Sequence, residues 1–238
     1  DIVIWSYLNE YQNKTSKAIP EYDSVMVFES EYLLNLRRRM IGLVGSELKN
    51  PIRTDSINAG WAKLYRRTLF ADKINYWVNS DIIGSSDVFF NIQIFSKSHK
   101  VVYINKFYNH YRRSNPNSLT ANYNDTLFQK SLRLFELIEN FISINKLGIE
   151  FNNALNNRIA LSTINNVLSI CSPKNSSSNF EKLKNIKKVL NNPIYNTALV
   201  QLELKYIPFH WLLFFFVAKV RFAFGVYLLG LLMNKFRK

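Results

Sequence analysis

The chain opens with a β-rich alternation. "DIVIWSYLNEY" (1–11) reads as a strand already under way, 13–23 as a polar loop, and "DSVMVFES" (23–30) as a second extended segment. The period then becomes helical across 31–44, where Leu33, Leu36, Met40 and Val44 fall near one face. Arg37, Arg38 and Arg39 point in different directions on such a helix, which predicts a solvated run rather than a phosphate clamp. Residues 45–60 predict a loop, and 61–75 a short strand passing into a helix. In "DIIGSSDVFFNIQIF" (81–95) a helix starts near Asp87, with Ser85 or Ser86 as a candidate cap. Asp87 then lies in the first turn, where free N–H groups and the helix dipole favour negative charge. Two strand-like runs occupy 101–114, with Tyr103, Phe107 and Tyr111 along them, and "NPNSLT" (115–120) reads as a turn.

After residue 122 the pattern is helical. Leu127, Leu134, Ile138, Phe141 and Ile142 share helical spacing in 124–147, and two more helices are predicted over 149–171 and 180–190, with a loop between them. The last segment, 205–238, is the most apolar, but Lys219 and Arg221 interrupt it near its middle. A spanning helix needs about 20 apolar residues, and each charge at its centre costs about 2.5–3.5 kcal/mol on an insertion scale. The pattern therefore predicts a helix pair lying in a membrane interface, broken near Gly225, with Pro208 at its start. Phe, Leu and Trp would enter the acyl boundary, while Lys219, Arg221, Lys235, Arg237 and Lys238 meet anionic head groups. Packing into a core or against a partner is the alternative.

Composition narrows this picture. Hydrophobic residues make up 47% of 238, enough for a real core and unlike a disordered chain. Cys171 stands alone, so no internal disulfide forms. His99, His110 and His210 are too scattered for a zinc site. A net charge of +14 points to an anionic partner: nucleic acid, a phosphorylated ligand or anionic lipid. Nucleic acid is set aside, because the aromatics look core-like rather than interleaved with basic residues.

Across 58–120 the series "WAKLYRRTLF", "GSSDVFFNIQIF" and "KVVYINKFYNHYRRSNPNSLT" resembles the second half of bacterial family 2 glycosyltransferases, enzymes of GT-A fold that build surface polysaccharides. "DIVIWSYL" is similar to the strand that follows the metal-binding acids of that family. The resemblance implies an α/β protein: a partial GT-A domain over 1–122, a helical region over 123–204 and a membrane-associating tail over 205–238. It implies inverting transfer from a nucleotide sugar to a lipid-linked glycan, at the cytoplasmic face of the inner membrane. Asp87 matches the general base, which takes a proton from the acceptor hydroxyl as that oxygen attacks the sugar. Ser86 stands where the family commonly has Glu, and with Lys63 and Trp61 is assigned to the acceptor side. Arg112, Ser118 and His110 are assigned to the donor diphosphate, whose departing charge needs paired donors.

The chain holds no Asp-x-Asp, the motif that in this family holds Mg²⁺ or Mn²⁺ against the diphosphate. That motif and the nucleotide-gripping strand are expected upstream of Asp1, so the isolated chain is expected to be inactive. A non-enzymatic membrane-associated scaffold, or a degenerate transferase, is the rival reading.

Overall fold

The first strand of the chain pairs with the last strand of its sheet. In the computed structural model, which describes residues 1–18, 22–113 and 123–236, β1 (Ile2–Glu10) runs parallel to β5 (Val101–Arg112), with Ile2 opposite Val101 and Glu10 opposite Arg112. Two short strands share the other side of β1: β4 (Lys63–Tyr65) pairs antiparallel with Ile2–Ile4, and β2 (Thr15–Lys17) with Leu8–Glu10. β3 (Met26–Phe28) pairs antiparallel with β5 on its far side, completing a curled mixed sheet. The two runs expected in 101–114 are one strand. Its register against β1 shifts around Ser6, and the extra β5 residues are accommodated as irregularities there.

Two helices belong with this sheet. α1 (Ser30–Ile41) buries Leu33, Leu36 and Met40 and packs on α2 (Ser86–Lys97), which buries Val88, Phe89, Ile92, Ile94 and Phe95. The three arginines of α1 are not solvated. Arg37 donates to the carbonyls of Phe95 (3.0 Å) and Ser98 (2.6 Å), closing the end of α2, whose last carbonyls have no helical partner. Arg38 and Arg39 are buried, and Arg39 bonds the carbonyl of Thr54 and the hydroxyl of Ser56. Neighbouring loops offer buried carbonyls, and guanidinium groups satisfy them.

The helix expected after β4 is only a 3-10 turn, Arg67–Phe70. Asp72 and Asn75 side chains accept from the amides of Ile74 and Trp77, competing with helix bonds, and Lys73 has φ +57°.

The chain divides into two compact units. One comprises 1–41 and 52–121, the other 42–51 and 122–238. In the second unit, α3 (Leu127–Ile144) and α6 (Pro193–Gln201) pack on α4 (Ile149–Ile170), and α5 (Asn179–Asn191) lies beside α4 and α6. α6 was not read from the sequence. Asn192 caps it, accepting from Ile194 and Tyr195 amides, and Pro193 fills the first turn. Gly42 lies against α4, where a Cβ would meet the Ala154 carbonyl oxygen at 2.1 Å. Asn157 donates to the Leu43 carbonyl at 2.8 Å.

The tail is a helix pair, α7 (Phe209–Lys219) and α8 (Ala223–Phe236). The break falls at Val220–Phe222, not near Gly225. Arg221 takes φ +57°, and the amides of Arg221 and Phe222 return to the carbonyls of Ala218 and Val217. Gly225 lies inside α8, where a Cβ would press on Phe222 and Val217. Both helices join the core: Phe214, Phe215 and Ala218 of α7, and Val226, Tyr227 and Gly230 of α8, are buried. Among the described residues, no helix is long and apolar enough to cross a membrane.

Candidate functional site

The first turn of α2 meets the loop that leads into β4. Ser85 is the N-cap, yet its hydroxyl caps nothing. The Asp87 carboxylate is directed to that loop and accepts from the Gly60 amide at 3.0 Å. Asp87 is half-buried. Glycine at 60 permits the approach, because a Cβ there would stand 3.0 Å from the carboxylate oxygen Oδ1.

A buried asparagine fixes this junction. Asn91, one helical turn after Asp87, is fully buried. Its amide donates to the carbonyls of Asn58 (2.8 Å) and Asp87 (2.7 Å), and its oxygen accepts from the Tyr65 hydroxyl (2.8 Å). Asn91 thus ties loop, helix and strand together. Asn58 extends the tie to the Met40 carbonyl at the end of α1 (3.0 Å). Ala62, in the same loop, has φ +58°, a strained conformation for a residue with a side chain.

Lys63 is buried beneath the loop, and its ammonium donates to the Ala59 carbonyl. Burial pushes its pKa down to about 7, against the pull of the Asp87 charge. Burial also raises the Tyr65 phenol, and Asp87 adds to that rise. Ser86 is buried, and its hydroxyl is unpartnered among the described residues.

The loop joins Asp87 to the end of β5. Trp61, the residue after Gly60, stacks on Tyr111 with ring centres 5.2 Å apart and planes 13° apart. Tyr7 meets both rings edge-on. The Arg113 guanidinium lies 4.4 Å from the Tyr111 ring centre and donates to Asn9 at 2.8 Å. Side-chain alternation sets His110 and Arg112 on the opposite face from Tyr111. His110 pairs with Glu10 at 2.5 Å, and Arg112 is exposed. Ser118 lies outside the described residues.

Asp87, Ser86, Lys63 and Trp61 are therefore brought together, and Arg113 rather than Arg112 joins the aromatic stack. Sequence reasoning missed Gly60 and Asn91. A polar residue inside "VFFNIQIF", four after the acid, was the available signal for Asn91.

Over 140 residues, 58% of its length, the chain is 26% identical to a curated protein of Bacillus subtilis (strain 168) named "Putative glycosyltransferase EpsH". That likeness suggests a glycosyltransferase relationship. The matched part spans 40% of that relative's length. No protein-family model matches the chain, and no solved structure does.

Among the described residues, no three His, Cys, Asp or Glu side chains gather to hold a metal ion. The set around Asp87, one carboxylate beside a lysine and a backbone amide, does not fit a divalent cation.

Proposed function

We propose that the chain is part of an inverting glycosyltransferase of the family 2 type, in which Asp87 is the general base. The donor is a nucleotide sugar and the acceptor a lipid-linked glycan, in surface polysaccharide synthesis at the cytoplasmic face of the inner membrane. The observation that carries the reading is the half-buried Asp87 carboxylate, held by one amide from a loop whose next residue is Trp61. A carboxylate has further lone pairs, so the bond from Gly60 leaves Asp87 able to accept a proton from an acceptor hydroxyl. Trp61 and Tyr111 offer aromatic surface beside it.

Lys63 acts from behind the loop, raising positive charge near Asp87 rather than touching acceptor. Ser86 offers a neutral hydroxyl. For the donor diphosphate the proposed group is Arg113, on the face of the Trp61–Tyr111 stack; Arg112 and His110, assigned to that role from the sequence, lie on the other face of β5, and Ser118 lies outside the described residues. A divalent metal, if used, is held by an Asp-x-Asp outside these 238 residues. The exposed apolar side chains of α7 and α8, with Lys219 and Arg221 among them, support a peripheral place on an anionic membrane surface.

Transfer measured in the full-length gene product tests the assignment. Asp87→Asn is expected to lower turnover by about 100-fold or more, with donor binding retained. Unchanged turnover in that variant removes Asp87 as the base. The buried, neutral Ser86 favours one rival, a degenerate transferase. Nucleotide-sugar binding with no turnover in the full-length protein would decide for it.

A further inference from the structure

A buried lysine without an ion pair is the least expected group beside Asp87. Lys63 is 8% exposed, and a methionine would fill its place beneath the loop without the cost of burying a charge. Among the described residues its ammonium makes one hydrogen bond, to the Ala59 carbonyl, and no ion pair. The Asp87 charge acts on it without touching it.

The Ala59 carbonyl and the Gly60 amide belong to one peptide unit. Such a unit is planar, with its oxygen and its hydrogen on opposite sides. Lys63 therefore holds the oxygen side of the plane whose N–H side holds Asp87 at 3.0 Å. The negative end of the peptide dipole faces the ammonium and the positive end faces the carboxylate. Two hydrogen bonds on one amide reinforce each other, because donation to the oxygen polarises the N–H. Little else fixes this plane. Ala59 and Gly60 have no polar side chains, and Asn91 reaches the Ala59 carbonyl only at 3.5 Å. The shorter Asn91 bonds go to the Asn58 and Asp87 carbonyls, so Asn91 fixes the backbone of Asp87 and leaves its carboxylate free. Among the described residues, the Gly60 amide is the one hydrogen-bond donor to that carboxylate.

We propose that Lys63 is a positioning residue that acts on Asp87 through this peptide. The ammonium pins the Ala59 oxygen, and the Gly60 amide in turn holds one carboxylate oxygen, leaving the remaining lone pairs for an acceptor hydroxyl. The inference rests on the reading of Asp87 as the base, and it replaces an acceptor contact as the role of Lys63.

Two measurements test it. In the ¹⁵N-labelled 238-residue chain at about pH 6, below the lysine pKa of about 7, Lys63→Met should move the Gly60 amide proton signal upfield and quicken its hydrogen exchange. The melting temperature should not fall. In the full-length gene product the same variant should lower kcat about tenfold. KM for donor and acceptor should stay as in the parent, the pattern of a group needed only as the acceptor reacts. Added to Asp87→Asn, Lys63→Met should lower turnover no further, because its effect passes through Asp87. An unmoved Gly60 signal, an unchanged kcat, or a further loss on top of Asp87→Asn overturns the proposal. Turnover lost in Asp87→Asn but kept in Lys63→Met sinks the role of Lys63 alone. Turnover untouched by Asp87→Asn removes the base and this role together.

Discussion

At the scale of single residues, Lys63 is the group most at odds with its surroundings. Its ammonium is buried, and its folded pKa lies near 7 against 10.5 for a free lysine. Below pH 7 the lysine is charged in both folded and unfolded chains, and the fold carries the whole desolvation penalty. Between about 7 and 10.5 the unfolded chain keeps a proton that the folded chain has released, so stability rises with pH across that window. Lys63→Met should therefore raise the unfolding free energy by a few kcal/mol at about pH 6, with the gain shrinking toward pH 10. Urea titrations of parent and variant at the two pH values measure it, and a gain independent of pH would contradict the cause given. Asp87 was legible at this scale because an acid in the first turn of an apolar helix is conspicuous. Its partners were not, since Gly60 and Asn91 matter through a loop approach that sequence spacing does not encode.

At the scale of elements, the long helices announced themselves and their terminations did not. Periodic leucines and isoleucines over 127–144 and 149–170 specify helices whatever they pack on. The failed helix after β4 turned on local side-chain bonds from Asp72 and Asn75, and the tail break on a left-handed arginine, neither of which leaves a hydrophobic signature. The triple arginine was misread for a related reason. Its burial depends on which carbonyls other loops bring to it. Arg37 spans α1 to the last turn of α2, and Arg37→Ala should cost about 2 kcal/mol by removing two charge-assisted bonds. Denaturant unfolding checks the loss, and hydrogen exchange should show fraying confined to the C-terminal turn of α2.

At the scale of the whole molecule, the α/β character with helices after it was legible from the change of period, whereas the tail's packing into the core was read only as the alternative to a helix pair lying on a membrane. Apolar residues of α7 and α8 divide between core and solvent: Phe215 is 0% exposed and Phe216 56%. The exposed set lies with a basic excess of +14, so the chain should sediment with vesicles containing anionic lipid and not with zwitterionic ones. Phe216→Glu, on the exposed side, should reduce that binding, and equal sedimentation of parent and variant would remove the membrane assignment. The excursion of 42–51 out of the sheet unit has a separate consequence. Leu43 and Leu48 are buried there, in the company of helices that come more than a hundred residues later in the chain. Trimming the gene at codon 121 would strip these leucines of their cover and hand the truncated product an adhesive flap. Ribosomal synthesis meets the same situation in passing, since the flap emerges long before α4 exists to receive it.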